Sequence, residues 1–233
     1  MAEKHNVWMS VSDLMTGLMI IFLFIAVAYM IQVKENQTVL TDYVETRSKL
    51  HDKLESEFKD RPDDWQLVIG KDLSMKFENP EVQFETGKAS LKPAFKSILD
   101  TFIPRYIDIL VNDTLRLNIK EIRIEGHTDD TPPTHSPEDA YLYNVRLSQQ
   151  RAFEVLKYIR NMPSYQNCSQ ETKELLEYWF TANGLSYGKA LDENGEYTFI
   201  SHAEIDKKRS RRVEFRIVTS GDEILEDFVN KNR

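Results

Sequence analysis

One short stretch near the middle of the chain decides the fold: residues 122–130 read Ile-Arg-Ile-Glu-Gly-His-Thr-Asp-Asp. Apolar and charged residues alternate as far as Glu125, a pattern that is typical of a strand with one buried face. Gly126 then opens a polar segment, which is typical of a turn. The stretch therefore predicts a strand that ends in a turn carrying residues 127–130.

The flanking sequence supplies further strands and helices. Short strands are predicted at 67–69, 73–77, 82–84 and 213–217, and helices at 91–111, 139–160 and 171–180. We expect residues 182–185 to form a turn and Pro104 to break or bend the first helix. Strands that alternate with helices predict an α/β fold, an α+β sandwich with helices on one face of a small mixed sheet.

Composition limits what the chain can be. Its 233 residues allow one domain of ordinary size with additional segments, or two small domains. The formal net charge of -8 gives no electrostatic reason to expect direct nucleic-acid binding. The single cysteine, Cys168, rules out an intramolecular disulfide, and we expect no special role for it.

The amino-terminal segment predicts a single transmembrane helix. Residues 14–33 contain no charged side chain, and a helix of that length spans about 30 Å, the thickness of a bilayer core. We place the helix at 7–33, after a short segment 1–6, with Asp13 as its only charge. A cleaved signal peptide, with an Ala-Val-Ala cleavage site at 26–28, is the alternative. Asp13 and the apolar residues that follow this site argue against cleavage.

The segment after the membrane helix, residues 34–62, predicts a helical neck that could act as a linker, a dimerising coiled coil or a plug. It is polar and contains neither glycine nor proline before Pro62, and apolar residues recur at spacings of three, four and seven. The turn-forming sequence Arg-Pro-Asp-Asp at 61–64 ends it. A compact domain is predicted at 63–220, followed by a polar tail at 221–233.

Four pieces of the chain together resemble the OmpA-like peptidoglycan-binding domain. They are Phe-Glu-Thr-Gly-Lys-Ala-Ser-Leu at 84–91, the strand and turn at 122–130, Tyr-Asn-Val-Arg-Leu-Ser-Gln-Gln-Arg-Ala at 143–152, and Arg-Arg-Val-Glu at 211–214. The resemblance implies a periplasmic domain that binds the stem peptide of the cell wall, usually at its diaminopimelate residue. The segment 130–140 is longer than in OmpA itself and is similar in this respect to the flagellar stator protein MotB.

The resemblance implies which residues bind. The family's aspartate corresponds to Asp129 and its arginine to Arg151. Their chemistry fits diaminopimelate, because a carboxylate can bind the ligand's ammonium and a guanidinium can bind its carboxylate with paired hydrogen bonds. Asn144, which can donate and accept, suits the adjacent peptide amides. Thr128, beside Asp129, completes this part of the expected site.

The basic segment at 207–212 contains the last expected site residue. Arg212, or alternatively Arg211, is expected to line the wall-binding groove. Nucleic-acid binding is the alternative that such a run of cations raises. We favour a solvated loop, since the run is short, lies beside a core strand and belongs to an acidic protein.

Three other interpretations of the turn were weighed. A metal site would use His127, Asp129, Asp130 and His135, but their spacing matches none of the usual metal motifs. An acid–base enzyme would need a second catalytic group, which the sequence does not indicate, so we expect no enzyme and no cofactor. A purely structural turn, in which the aspartate acts as a cap, is the third interpretation.

The membrane helix resembles that of MotB in its sequence around Asp13. Trp8 precedes Ser-Asp-Leu-Met-Thr at 12–16, and an apolar helix follows. The resemblance implies that Asp13 binds and releases the coupling ion, a proton or Na+, supported by Ser12 and Thr16. A carboxylate inside a membrane helix is costly, which favours a functional explanation. An interfacial carboxylate stabilised by the helix dipole is the alternative.

Orientation depends on the resemblance. More cations follow the helix than precede it, so the charge bias alone would leave the carboxyl-terminal part in the cytoplasm. A wall-binding domain requires the opposite, a cytoplasmic amino terminus and a periplasmic domain at the bacterial inner membrane.

The short, nearly uncharged amino terminus and the sequence Val-Lys-Glu-Asn-Gln at 33–37 resemble the ZorB family of Zorya anti-phage systems more than MotB. That resemblance implies a homodimer inside five copies of a multi-pass ZorA-type (MotA-like) protein, driven by ion flow through the membrane and anchored to peptidoglycan. A flagellar MotB-like stator subunit is one alternative, and a passive cell-wall tether without ion conduction is another.

Overall fold

A computed structural model describes residues 2–85, 87–112, 115–131 and 139–222 of the chain. The chain forms two compact units, Met1–Val44 and Glu45–Arg233. The helices are α1 (Ala2–Glu57), α2 (Pro80–Gln83), α3 (Pro93–Leu110), α4 (Ala140–Asn161), α5 (Pro163–Gln166), α6 (Gln170–Trp179), α7 (Thr198–Ser201) and α8 (Lys207–Ser210). The strands are β1 (Leu67–Ile69), β2 (Ser74–Phe77), β3 (Ile119–Gly126), β4 (Phe180–Gly184) and β5 (Val213–Thr219). Short 3-10 helices lie at Asp63–Trp65 and Arg116–Asn118.

The first unit contains the apolar part of α1. Trp8–Lys34 is long and apolar enough to cross a bilayer, and none of its most apolar window is buried within the chain. Large apolar side chains along it are therefore available to lipid or to another protein. The hydroxyl of Thr16 donates a hydrogen bond to the carbonyl oxygen of Ser12, 2.8 Å away, which satisfies this polar group inside the helix.

The last turns of α1 belong to the second unit. Leu50, Leu54 and Phe58 are fully buried in its core. The ring of Phe58 packs 5.0 Å from that of Phe102, and Arg105 binds Glu57 with an Nε–Oε1 distance of 2.9 Å. The carboxyl-terminal half of the predicted neck is thus part of the compact unit, which begins earlier in the chain than the predicted boundary at 63.

The sheet has five strands in the order β1-β2-β5-β3-β4. Three antiparallel pairs join the strands β1, β2, β5 and β3 in that order, and β4 pairs with β3 in parallel. Apolar residues of α1, α3, α4 and α6 form one continuous core with the strands. Around Phe102 this core is aromatic, with ring centroids of Phe77 and Phe215 at 5.1 and 5.2 Å. The predicted α+β sandwich with a mixed sheet is confirmed.

Two glycines bring α4 unusually close to the sheet. Gly126 of β3 and Gly184 of β4 are partners in the parallel register. A Cβ atom on Gly126 would lie 2.2 Å from the carbonyl oxygen of Ser148, and one on Gly184 would lie 2.4 Å from the backbone nitrogen of Gln149. Any larger residue at either position would therefore push the helix away from the strands.

Three local predictions differ from the structure. Residues 180–184 form β4 where a turn was expected, because parallel pairing with β3 stabilises a segment that shows no alternation. The predicted strand at 82–84 is largely replaced by α2, and only Phe84 makes an isolated bridge, to Leu91. Helix α3 continues through Pro104 without ending there.

Candidate functional site

The helix α4 positions the basic side of the site. Asp139 caps it, since its Oδ1 accepts hydrogen bonds from the backbone nitrogens of Tyr141 and Leu142 at 3.0 and 3.1 Å. Ser148 faces the sheet, and its hydroxyl accepts a hydrogen bond from the backbone nitrogen of Ser186. One helical turn farther along, Arg151 lies on the same side and is only 6% exposed.

The turn after β3 positions the acidic side. The backbone nitrogen of His127 donates to the carbonyl oxygen of Arg212, and that of Thr128 donates to the carbonyl oxygen of Ser186, both at 3.0 Å. These bonds attach the turn to two other segments of the domain. They fix the backbone of the residue that follows, Asp129.

Asp129 is held as a carboxylate by hydrogen bonds. Its Oδ1 accepts from the backbone nitrogen of Thr131 at 3.0 Å, and its Oδ2 accepts from Nη1 of Arg211 at 2.8 Å. Burial alone would raise the pKa of Asp129, but the bonds from Thr131 and Arg211 outweigh burial and lower it below its ordinary value. The group is therefore charged at neutral pH.

Arg151 is a buried cation with few interactions that offset the cost of burying its charge. Its Nε donates to the carbonyl oxygen of Lys88 at 3.1 Å, and its guanidinium lies 4.9 Å from the ring centre of Phe84. Within the described part of the chain, its two terminal nitrogens donate no hydrogen bond. Burial lowers the pKa of Arg151 to about 10; the charge of Asp129 partly offsets this lowering, and the charge of Arg211 adds to it. Such a guanidinium is prepared to receive an anion.

A cavity of about 380 Å³ opens beside these residues, within the usual size range of small-molecule sites. It is lined by Pro80, Glu81, Phe84, Glu85, Lys92, Arg151, Arg211 and Arg212. The structure thus brings Arg151 and Arg211, the residue that binds Asp129, to one concave surface. The role of each residue in binding stays a prediction.

Two other predicted residues support the turn. The side-chain nitrogen of Asn144 donates to the carbonyl oxygens of Thr131 and Ala140, at 3.1 and 3.0 Å, and so ties the segment after Asp129 to α4. The hydroxyl of Thr128 is buried and has no hydrogen-bond partner among the described residues.

Arg212, also predicted to bind, is 1% exposed and is already bonded. Its Nε donates to Glu214 at 2.6 Å, and its terminal nitrogens donate to the carbonyl oxygens of Ser210 and Lys189. Arg211 is the neighbour whose guanidinium reaches Asp129, and its side chain is 40% exposed. Of the two arginines considered from sequence, Arg211 therefore has the greater freedom to meet a ligand.

A buried ion-pair network lies beneath the turn. Nε2 of His127 is 3.8 Å from the Glu125 carboxylate and 3.7 Å from that of Glu214. Arg212 binds Glu214, and Arg216 binds both glutamates. Burial lowers the pKa of His127 and the charge of Arg212 lowers it further, so the ring is neutral at neutral pH. This cluster has three possible metal ligands, but the arginines already occupy its carboxylate oxygens.

Of the residues in the alternative metal site, His127 belongs to that cluster, whereas Asp129 and Asp130 bind other partners. Asp130 faces Lys207, with an Oδ1–Nζ distance of 3.3 Å, and Asp129 faces Arg211. His135 and most of the long segment 130–140 lie outside the described residues. In the basic run, Arg209 binds Glu78 and Asp206, so these cations largely face carboxylates of the same domain.

Sequence reasoning missed parts of the site that depend on folding. Phe84 and the carbonyl oxygen of Lys88, which hold Arg151, come from a segment far from it in sequence. The weak signal for Phe84 and Lys88 was the Phe-Glu-Thr-Gly-Lys motif at 84–88, which carries part of the resemblance to the OmpA-like domain. In the separate membrane unit, Asp13 is exposed on α1, one turn before Gly17.

Comparisons of the sequence and the fold with known proteins identify the family of the chain. The OmpA family model matches residues 83–167, which include the turn and the whole of α4. A MotB-like protein from Desulfovibrio vulgaris has the same fold, with a TM-score of 0.51 and 20% identity over 77% of this chain and 98% of that structure. The Zorya protein ZorB of Escherichia coli O139:H28 strain E24377A is 26% identical over 93% of this chain and 81% of its own length. The Zorya protein ZorB of Escherichia coli strain Crooks is 38% identical over 94% of this chain and 91% of its own length. With this identity along nearly the whole length of both chains, the protein belongs to the ZorB family.

Proposed function

We propose that this protein is the peptidoglycan-anchored subunit of an ion-driven motor in the bacterial inner membrane, and that the motor acts in anti-phage defence. The observation that carries the wall-binding part is the buried Arg151, whose terminal nitrogens donate to none of the described residues and could bind an anion near the carboxylate of Asp129. Membership of the ZorB family supports the link to Zorya defence.

The proposed ligand is the stem peptide of the cell wall. The distal end of a diaminopimelate residue has an ammonium and a carboxylate on one carbon. Asp129 would accept from the ammonium, and the guanidinium of Arg151 would donate two parallel hydrogen bonds to the carboxylate. The burial of both groups strengthens these charge-assisted bonds relative to water. The side chain of Asn144 and the backbone of Thr128 would hold the turn so that the carboxylate of Asp129 keeps its position.

The proposed anchor in the membrane is Trp8–Lys34, with the amino terminus in the cytoplasm and the second unit in the periplasm. In this arrangement Asp13 would bind and release the translocated ion, which we expect to be a proton, with Na+ as the alternative. Ser12 and Thr16 would support it from the same helix turn. Neutralising the carboxylate on ion binding would relieve the cost of a charge inside the membrane.

The proposed partners follow from the family. Two copies of this chain would form a homodimer inside five copies of a multi-pass ZorA-type protein, with lipid around the assembly. The exposed apolar surface of Trp8–Lys34 supports such packing, since it is not covered by the chain itself. The protein would then act as a fixed, wall-bound part and not as an enzyme.

Wall binding is tested by sedimenting the full-length protein, in detergent, with purified peptidoglycan. We expect Asp129→Ala and Arg151→Ala to abolish co-sedimentation. Arg160→Ala serves as a matched control, because Arg160 lies on the same helix and pairs with Glu177 on the surface. Undiminished co-sedimentation of both site variants would remove the proposed binding site.

The motor role is tested separately with Asp13→Asn. This change keeps the size of the side chain but removes its exchangeable proton and charge. We expect cells with this variant to lose protection against phage while the protein still reaches the membrane and still binds peptidoglycan. Full protection by the variant would contradict ion transfer at Asp13 and would favour a passive tether.

A further inference from the structure

We infer that Arg211 reads a second carboxylate of the stem peptide, so that the site distinguishes a free glutamyl α-carboxylate from an amidated one. This inference rests on the proposed function and adds a specificity-determining residue to it. Its basis is the arrangement of charge around the cavity, which is lined by Lys92, Arg151 and Arg211 and by the carboxylates of Glu81 and Glu85. Glu85 already pairs with Lys88, and Asp129 is the carboxylate that binds Arg211.

In the structure without ligand, Arg211 occupies the acidic side of the site. Its Nη1 is 2.8 Å from Oδ2 of Asp129, and the other carboxylate oxygen accepts from the backbone nitrogen of Thr131. An ammonium group that binds Asp129 must therefore displace Arg211 or share one oxygen with it. Two neighbouring cations repel each other, so ligand binding favours the departure of Arg211.

The side chain of Arg211 is less constrained than that of its neighbour. Arg211 lies in the connection between α8 and β5, outside both elements, and its side chain is 40% exposed. Its neighbour Arg212, by contrast, is fixed by three hydrogen bonds in the interior. A turn of the Arg211 side chain toward the cavity that it lines would leave its guanidinium without its carboxylate partner.

A ligand with one ammonium and one carboxylate would satisfy Asp129 and Arg151 but would take from Arg211 the carboxylate that it binds in the structure. A second carboxylate on the ligand removes this deficit. Stem peptides carry one on the adjacent residue: the glutamate next to diaminopimelate is joined through its side-chain carboxyl, so its α-carboxylate is free unless it is amidated. The cavity volume of about 380 Å³ is sufficient for more than a single carboxylate group.

The test uses two synthetic tripeptides, L-alanyl-γ-D-glutamyl-diaminopimelate with a free glutamyl α-carboxylate and the same peptide with an α-carboxamide. In both peptides the diaminopimelate carboxyl that would join the next residue is amidated, so that they differ by one carboxylate. The full-length protein in detergent is titrated with each by calorimetry. We expect the wild type to bind the free acid at least about tenfold more tightly, the size of one charge-assisted hydrogen bond.

In Arg211→Gln the ratio of the two dissociation constants should fall to about one. The ratio should fall because the free acid binds more weakly. The amidated peptide should bind at least as tightly as it binds the wild type, because Arg211 no longer competes with the ligand's ammonium for Asp129. Arg209→Gln is the matched control: it removes the same charge two residues away, where Arg209 pairs with Glu78 and Asp206. This control should keep the wild-type ratio.

The outcomes separate the inference from the function on which it rests. Equal binding of both tripeptides by the wild type, or an unchanged ratio in Arg211→Gln, would overturn the role of Arg211 and leave wall binding intact. Weaker binding of both tripeptides by Arg211→Gln would also overturn it, since that result indicates a structural role. Failure of the wild type to bind either tripeptide would overturn the proposed function together with the inference.

Discussion

Replacing Arg151 by methionine should stabilise the fold while it abolishes wall binding. The folded environment lowers the pKa of this guanidinium from 12.5 to about 10, which corresponds to a cost of about 3 kcal/mol for holding the charge. Methionine has a similar length without the charge and fills the same space above Phe84. A residue that binds a ligand can lower the stability of the fold, because its interaction is made only when the ligand is bound.

The net effect is smaller than this cost because Arg151 also makes favourable contacts. Its bond to the carbonyl oxygen of Lys88 contributes about 1 kcal/mol, and its contact with Phe84 contributes a similar amount. We therefore expect Arg151→Met to raise the free energy of unfolding by about 1 kcal/mol. The same variant should not co-sediment with peptidoglycan.

The assay is urea unfolding of the full-length protein in detergent, followed by the fluorescence of the buried Trp65 and Trp179. Arg160→Met is the control, since it removes a cation from the exposed face of the same helix, where a surface ion pair contributes at most about 1 kcal/mol. The control should be neutral or slightly destabilising. A loss of more than about 1 kcal/mol in Arg151→Met would refute the reasoning, because Arg151 would then be a structural residue.

Three further predictions test other parts of the structure. Leu54→Ala should destabilise the domain by about 2–5 kcal/mol because the side chain is fully buried, whereas Val44→Ala, at an exposed position of the same helix, should change urea unfolding little. Gly126→Ala should cost about 3 kcal/mol, since its Cβ would meet a backbone oxygen at 2.2 Å; Gly188→Ala, with its nearest neighbour at 3.5 Å, should unfold nearly like the wild type. Between pH 6.5 and 5 the free energy of unfolding should fall as pH decreases, because the unfolded chain protonates His127 while the folded chain, in which its pKa is lowered, does not. His127→Gln should lose this slope, and a slope of wild-type size in that variant would assign it to other groups.

Local sequence patterns were sufficient for the parts of the fold that are periodic. The alternation at 122–125 and 213–217 predicts β3 and β5, and the apolar face of 139–160 predicts α4. β4 was missed because its sequence does not alternate and its stability comes from a neighbour far away in the chain. The apolar stripe ending in Phe58 was recognised, but periodicity cannot tell whether such a stripe packs against a second helix or against its own domain.

From the sequence, only those residues of the candidate site that occupy defined positions in a motif could be predicted. Asp129 and Arg151 follow from motifs, but their surroundings depend on which side chains the fold brings together. Arg211 and Arg212 are adjacent in sequence and chemically identical, and only the structure distinguishes the buried, bonded one from the one that reaches Asp129. Sequence offers no means to make this distinction, because it arises from the partners that β5 and its neighbours supply.

The glycine pair in β3 and β4 has a consequence for how this site could diversify. Asp129 follows Gly126 by three residues, and Arg151 lies one turn beyond Ser148, whose carbonyl oxygen touches Gly126. The spacing between Asp129 and Arg151 thus depends on two missing methyl groups on the sheet. A relative that replaced either glycine would have to separate α4 from the strands, and these two side chains would then lie farther apart although neither had changed.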